Sequence, residues 1–121
     1  MNRIAVVEDN ADNRLLLQAI LVDGYALTEY ATGLAALEGL TRQVPYIVLL
    51  DISLPGMDGL EVLQHIRADA RLQHLPVIAL TAHAMAGDRE RFLSAGFDGY
   101  VTKPIVDEQV LLRTIEQGLT T

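Results

Sequence analysis

The sequence predicts an α/β domain: a doubly wound parallel sheet of five strands alternating with five helices. Two observations carry that expectation. Short runs rich in Val, Ile and Leu recur at Ile4 to Val7, Tyr46 to Leu50 and Val77 to Leu80. They are too short for helices and apolar throughout, as strands covered by helices on both faces are. Segments with helical spacing lie between them, and single Gly and Pro residues punctuate the boundaries without any repeat, low-complexity tract or linker.

Taken in order, the strand Ile4 to Val7 leads to a helix from about Asp12 to Asp23, stopped by Gly24. Tyr25 to Tyr30 is a weaker strand, because Thr28 and Glu29 interrupt its apolar run. Thr32 can cap a second helix with Leu34, Leu37 and Leu40 at helical spacing. After the strand Tyr46 to Leu50, Asp58 can cap a third helix in a near capping box with Glu61, with Leu60, Leu63 and Ile66 as its inner face. Val77 to Leu80 is followed by a helix from roughly Met85 to Ala95, closed by Gly96. Gly99 to Thr102 is the fifth strand. The last helix starts at Asp107 and carries the stripe Leu111, Leu112, Ile115 and Leu119.

The two least apolar strands, the second and the fifth, belong at the edges, where burial is lower. The order 2-1-3-4-5 satisfies this, whereas 3-2-1-4-5 exposes the very apolar third strand. A flavodoxin-like (βα)5 arrangement with right-handed crossovers follows, with a topological switch point between strands 1 and 3.

The chain of 121 residues holds nine basic and sixteen acidic side chains, a formal charge of −7, and no cysteine. One domain spanning residues 1–121 is expected. The charge disfavours contact with nucleic acid, and no apolar run approaches the roughly 20 residues of a membrane-spanning helix. A cytoplasmic protein is expected. Disulfides, thiolate catalysis and cysteine zinc sites are excluded. Eight of the basic residues are arginines, read as ordinary surface charges, and the single lysine is Lys103.

Ligands of such sheets sit beyond the carboxyl ends of the strands. There the sequence places Glu8 and Asp9 after strand 1, Asp51 after strand 3, Thr81 after strand 4 and Lys103 after strand 5. Each alone has a plain structural explanation: an acidic pair can be a helix cap, a threonine can bond nearby backbone, and Leu54-Pro55-Gly56-Met57 has the chemistry of a type II turn. Their convergence on one rim is the informative observation. Three neighbouring carboxylates need a counter-charge, and an all-oxygen site suits Mg²⁺. A carboxylate nucleophile, a divalent ion, a lysine and a hydroxyl together describe phosphoryl transfer, with Asp51 attacking phosphorus, Lys103 offsetting charge and Thr81 binding a phosphoryl oxygen.

Val6-Val7-Glu8-Asp9-Asn10, Leu50-Asp51-Ile52-Ser53-Leu54-Pro55-Gly56-Met57-Asp58-Gly59, Ala79-Leu80-Thr81-Ala82 and Lys103-Pro104 closely resemble the receiver domain of two-component response regulators, over essentially the whole chain. The resemblance implies that Asp51 accepts a phosphoryl group from a histidine kinase or histidine phosphotransfer protein and that the group is slowly hydrolysed. It implies direct Mg²⁺ ligation by Asp9, Asp51 and the Ser53 carbonyl, with Glu8 acting through water, and a phosphoryl contact from Lys103. It implies a switch of Thr81 and Tyr100 read by a downstream target on helix 4, strand 5 and helix 5, a cis Lys103-Pro104 bond, and an influence of His83 on hydrolysis. Asn13, Arg14, Leu17, Pro104 and Ile105 match positions that dock partners, although Leu17 fits the core equally well.

The absence of an output module after the fifth helix suggests a stand-alone domain. Thr81-Ala82-His83-Ala84-Met85 and Gly96-Phe97-Asp98-Gly99-Tyr100 also resemble receivers excised from hybrid histidine kinases. A flavin-binding carrier of the same topology is disfavoured, because Glu8-Asp9-Asn10-Ala11-Asp12 has the wrong charge for a phosphate loop. A receiver-like interaction module working without phosphorylation is the remaining alternative.

Overall fold

A computed structural model describes residues 2–82, 87–103, 105 and 107–119. The chain alternates β1 (Asn2–Val7), α1 (Ala11–Leu21), β2 (Tyr25–Tyr30), α2 (Gly33–Arg42), β3 (Ile47–Asp51), α3 (Gly59–Ala68), β4 (Val77–Thr81), α4 (Asp88–Ala95), β5 (Gly99–Thr102) and α5 (Glu108–Leu119). The five strands form one sheet in the order β2-β1-β3-β4-β5, with every neighbouring pair parallel. This is the expected order, and its cause is visible. Every residue of β3 and β4 is buried, whereas β2 is half-buried and β5 buries only Val101.

Alternation along the strands feeds two cores. Ala5, Val7, Val48, Leu50, Val77 and Ala79 face the layer that includes Ala36 and Leu40 of α2, Val62, Leu63 and Ile66 of α3 and Phe92 of α4. Ile4, Val6, Ile47, Leu49, Ile78 and Leu80 face Leu17 and Leu21 of α1 and Leu111 and Ile115 of α5. Period-2 side-chain alternation in a parallel sheet needs helices on both faces, and α1 and α5 on one side with α2, α3 and α4 on the other supply them.

Helix starts follow capping chemistry. The Asn10, Thr32 and Asp58 side chains accept hydrogen bonds from the N–H groups of Asn13, Ala35 and Glu61, so each occupies an otherwise orphaned helical donor. α4 differs: it begins at Asp88 after Gly87, whose φ of 90° is left-handed, and has no side-chain cap. Met85 and Ala86, the expected first turn, lie outside the described residues, as do His83 and Pro104 with their expected roles.

The expected inner face of α3 is corrected at Leu60, and the buried face of α2 does not follow its leucine spacing. Leu34 is 60% exposed and Leu60 40% exposed; α2 buries Gly33, Ala36 and Leu40, and α3 buries Val62, Leu63 and Ile66. Gly33 lets α2 approach α3 closely, since a Cβ there would come within 2.6 Å of Val62 Cγ2, and the leucine spacing does not mark the buried face of α2. Arg67 is also more than a surface charge. Its guanidinium donates to the Gly96, Gln73 and Leu75 carbonyls and to Asp98, while the same Asp98 oxygen accepts from Val77 N. It thereby ties α3 to the end of α4 and the start of β4.

The buried face of α2 predicts that Leu40→Ala costs about 2–5 kcal/mol by cavity formation, while Leu34→Ala stays within about 0.5 kcal/mol. Urea unfolding of both variants checks this; equal losses would restore the leucine face.

Candidate functional site

Sheet register assembles the site. Val7 pairs with Leu50, Asp51 with Leu80 and Thr81 with Thr102, so Glu8, Asp51, Thr81 and Lys103 end their strands along one rim. Carboxylate oxygens of Glu8, Asp9 and Asp51 lie within 4.8 Å of one another. Glu8 and Asp51 are 1% and 2% exposed, and Asp9 is exposed.

The Lys103 ammonium bridges the two buried acids, donating to Asp51 Oδ2 at 2.8 Å and to Glu8 Oε2 at 3.3 Å. Burial alone lowers the basicity of Lys103, but the bonds and charges of Asp51 and Glu8 outweigh it and push its pKa up. Glu8 is pushed up by burial first and by Asp51 next, against the opposing effects of Asn13 and Lys103. The remaining acceptors are occupied by short-range donors. Ser53 N donates to Asp51 Oδ1 at 2.9 Å, and Glu8 Oε1 accepts from Asn10 N and Asn13 Nδ2.

Thr81 is 6% exposed at the end of β4, and its carbonyl accepts from Lys103 N at 2.7 Å, which fixes the strand from which the lysine projects. Tyr100 is half-buried, with its ring 5.6 Å from that of Phe92. Arg14 donates to the Glu8 carbonyl at 2.7 Å and pairs with Glu29. Asn13, Leu16, Lys103 and Ile105 line a small depression beside the acids. Leu17 is 2% exposed, so its side chain belongs to the core; the apolar surface offered at that point of α1 is Leu16, 39% exposed.

The loop after Asp51 is held by close approach. Gly56 has a φ of 75°, as the third position of a type II turn requires. A Cβ on Gly59 would press on the Asp51 carbonyl and come within 2.8 Å of Ile52 Cα. Sequence reading places Gly59 only within a motif; the steric reason appears when α3 folds back against the end of β3, with Gly59 N bonded to Ile52 O.

Clustered hard oxygen donors with one lysine at a strand-end rim define an acidic-pocket domain of the doubly wound α/β class. Comparison with known proteins gives the family: the response regulator receiver domain model matches residues 4–116, and the chain belongs to that family. It is 41% identical over 103 residues to the polar-differentiation response regulator DivK of Brucella ovis, covering 84% of each chain. It is 39% identical over 112 residues to the sensor protein GacS of Pseudomonas syringae, covering 89% of this chain but 12% of that protein. Among solved structures, the receiver domain of a Pseudomonas aeruginosa sensor histidine kinase, with a magnesium ion coordinated in its active site cleft, superposes with a TM-score of 0.88 at 36% identity, covering 99% of this chain and 98% of that one. This is a receiver domain of two-component systems, similar both to DivK and to receivers carried by histidine kinases. No helix among the described residues is long and apolar enough to cross a membrane.

Gly59→Ala is expected to destabilise the protein by about 1–3 kcal/mol through overpacking, although Ala is the better helix former by about 1 kcal/mol. Chemical denaturation measures this; unchanged or increased stability would contradict the close approach to Asp51.

Proposed function

We propose that residues 1–121 act as a phosphoacceptor receiver in which Asp51 takes a phosphoryl group from the phosphohistidine of a histidine kinase or histidine phosphotransfer protein. The observation that carries this reading is the Lys103 ammonium 2.8 Å from Asp51 within a cluster of three carboxylates. A carboxylate oxygen of Asp51 attacks phosphorus and the P–N bond breaks. The imidazole nitrogen keeps the electron pair and takes a proton, leaving an acyl phosphate on Asp51. Lys103 offsets charge on the phosphoryl oxygens, and Thr81, at the end of the adjacent strand, offers a hydroxyl to them.

The donor set fits Mg²⁺, a hard cation that takes oxygen ligands and retains waters. Asp9, Asp51 and the Ser53 carbonyl would hold it directly and Glu8 through water. When bound, the ion supplies positive charge that neutralises the crowded acids and the incoming phosphoryl group. The acyl phosphate adds charge and acceptor oxygens beside Thr81, favouring one of two packings of Thr81 and Tyr100. A downstream target would read that change on α4, β5 and α5. Asn13, Arg14, Leu16 and Ile105 surround the rim at which a phosphohistidine donor would dock.

Incubation with acetyl phosphate tests the reading by intact-mass spectrometry. The wild type should gain one phosphoryl group in Mg²⁺, none in excess chelator, and Asp51→Asn should gain none. Absence of any gain, with small donors and with a histidine phosphodonor alike, would favour an interaction module that works without phosphorylation.

A further inference from the structure

Glu8 is 1% exposed, so protein groups rather than bulk water set the direction of its carboxylate. Oε2 faces Lys103 at 3.3 Å. Oε1 accepts from two donors at the start of α1: the Asn10 N–H at 3.3 Å and the Asn13 side-chain amide at 3.1 Å. A carboxylate only accepts, so the amide must present its NH₂ group. The Asn13 backbone is itself pinned, because its N–H donates to the Asn10 side chain at 3.0 Å in the helix cap. A short, rigid path therefore runs from the cap of α1 to the carboxylate: Asn10 fixes the turn, the turn fixes Asn13, and Asn13 holds one oxygen of Glu8 while the other faces the cluster. A residue serving only to dock a partner has no need of this engagement.

We propose that Asn13 is a positioning residue for Glu8: its side-chain amide orients the Glu8 carboxylate toward the cluster with Asp9 and Asp51 and thereby sets the affinity of the site for Mg²⁺. The inference rests on the functional reading above. Groups outside the coordination sphere tune metal binding by fixing the residues of the site in advance; Glu8 would reach the ion through water, and the entropy of ordering its carboxylate is then spent in folding rather than in binding.

Calorimetric titration of the full chain with MgCl₂ tests this without any phosphodonor, on the wild type, Asn13→Ala, Asn13→Leu and Leu15→Ala. Leucine keeps the branched shape and heavy-atom count of the asparagine without the donor, and alanine favours the helix, so either variant with a native circular dichroism spectrum suffices. Both Asn13 variants should bind Mg²⁺ several-fold more weakly, up to about tenfold, the lower end of the effect of groups that hold direct ligands, and Leu15→Ala should bind as the wild type does. Wild-type affinity in a folded Asn13 variant overturns the positioning role alone. Absence of Mg²⁺ binding by the wild type overturns the functional reading, and this inference with it.

Discussion

Everything at the rim depends on one electrostatic constraint: three carboxylates are held within 4.8 Å of one another, two of them almost wholly shielded from water. Like charges so close, in surroundings of low dielectric, repel strongly. The Lys103 ammonium stands between Glu8 and Asp51 and offsets part of that repulsion. One cation cannot balance three acids, so the rim retains an excess of negative charge directed at a space lined by hard oxygen donors. That residual charge makes a divalent cation the natural complement and leaves Asp51 beside an ammonium suited to phosphoryl oxygens.

The fold makes the constraint sustainable. Parallel register carries Glu8 and Asp51 to the same level on adjacent strands, and the fully buried β3 and β4 give the rim a rigid base. Backbone and side-chain donors then distribute the charge: Ser53 N on Asp51, Asn10 N and Asn13 on Glu8, and Arg14 on the Glu8 carbonyl. The backbone donors come from the turns that follow β1 and β3, and the side-chain donors Asn13 and Arg14 from the first turn of α1. The price is crowding, seen where only a glycine at position 59 lets α3 meet the Asp51 carbonyl.

Strand order and site composition were legible in the sequence because both follow from which segments are apolar and which residues terminate them. The rim residues Glu8, Asp9, Asp51, Thr81 and Lys103 could be read by position alone once the order was deduced. Helix rotation was not legible in the same way. Leu34 and Leu60 satisfied the spacing rule yet lie outward, while Gly33 opposite Val62 permits a close apposition of α2 and α3 that no hydrophobic count reveals. Arg67 escaped notice because its partners are mostly main-chain carbonyls, which leave no trace in composition. Asn13 matched a docking position, but its bond to Glu8 depends on the exact turn that Asn10 imposes. Leu17 could be assigned to the core only when α1 was placed against the sheet.

The most direct measurement is the location of the phosphoryl group itself. After reaction with acetyl phosphate and Mg²⁺, reductive trapping with borohydride followed by fragmentation mass spectrometry reports which carboxylate was acylated. Modification confined to Asp51 is the predicted result. Modification at Glu8, Asp9 or elsewhere, or a chain that remains unmodified, would contradict the assignment of Asp51 as the nucleophile in this cluster.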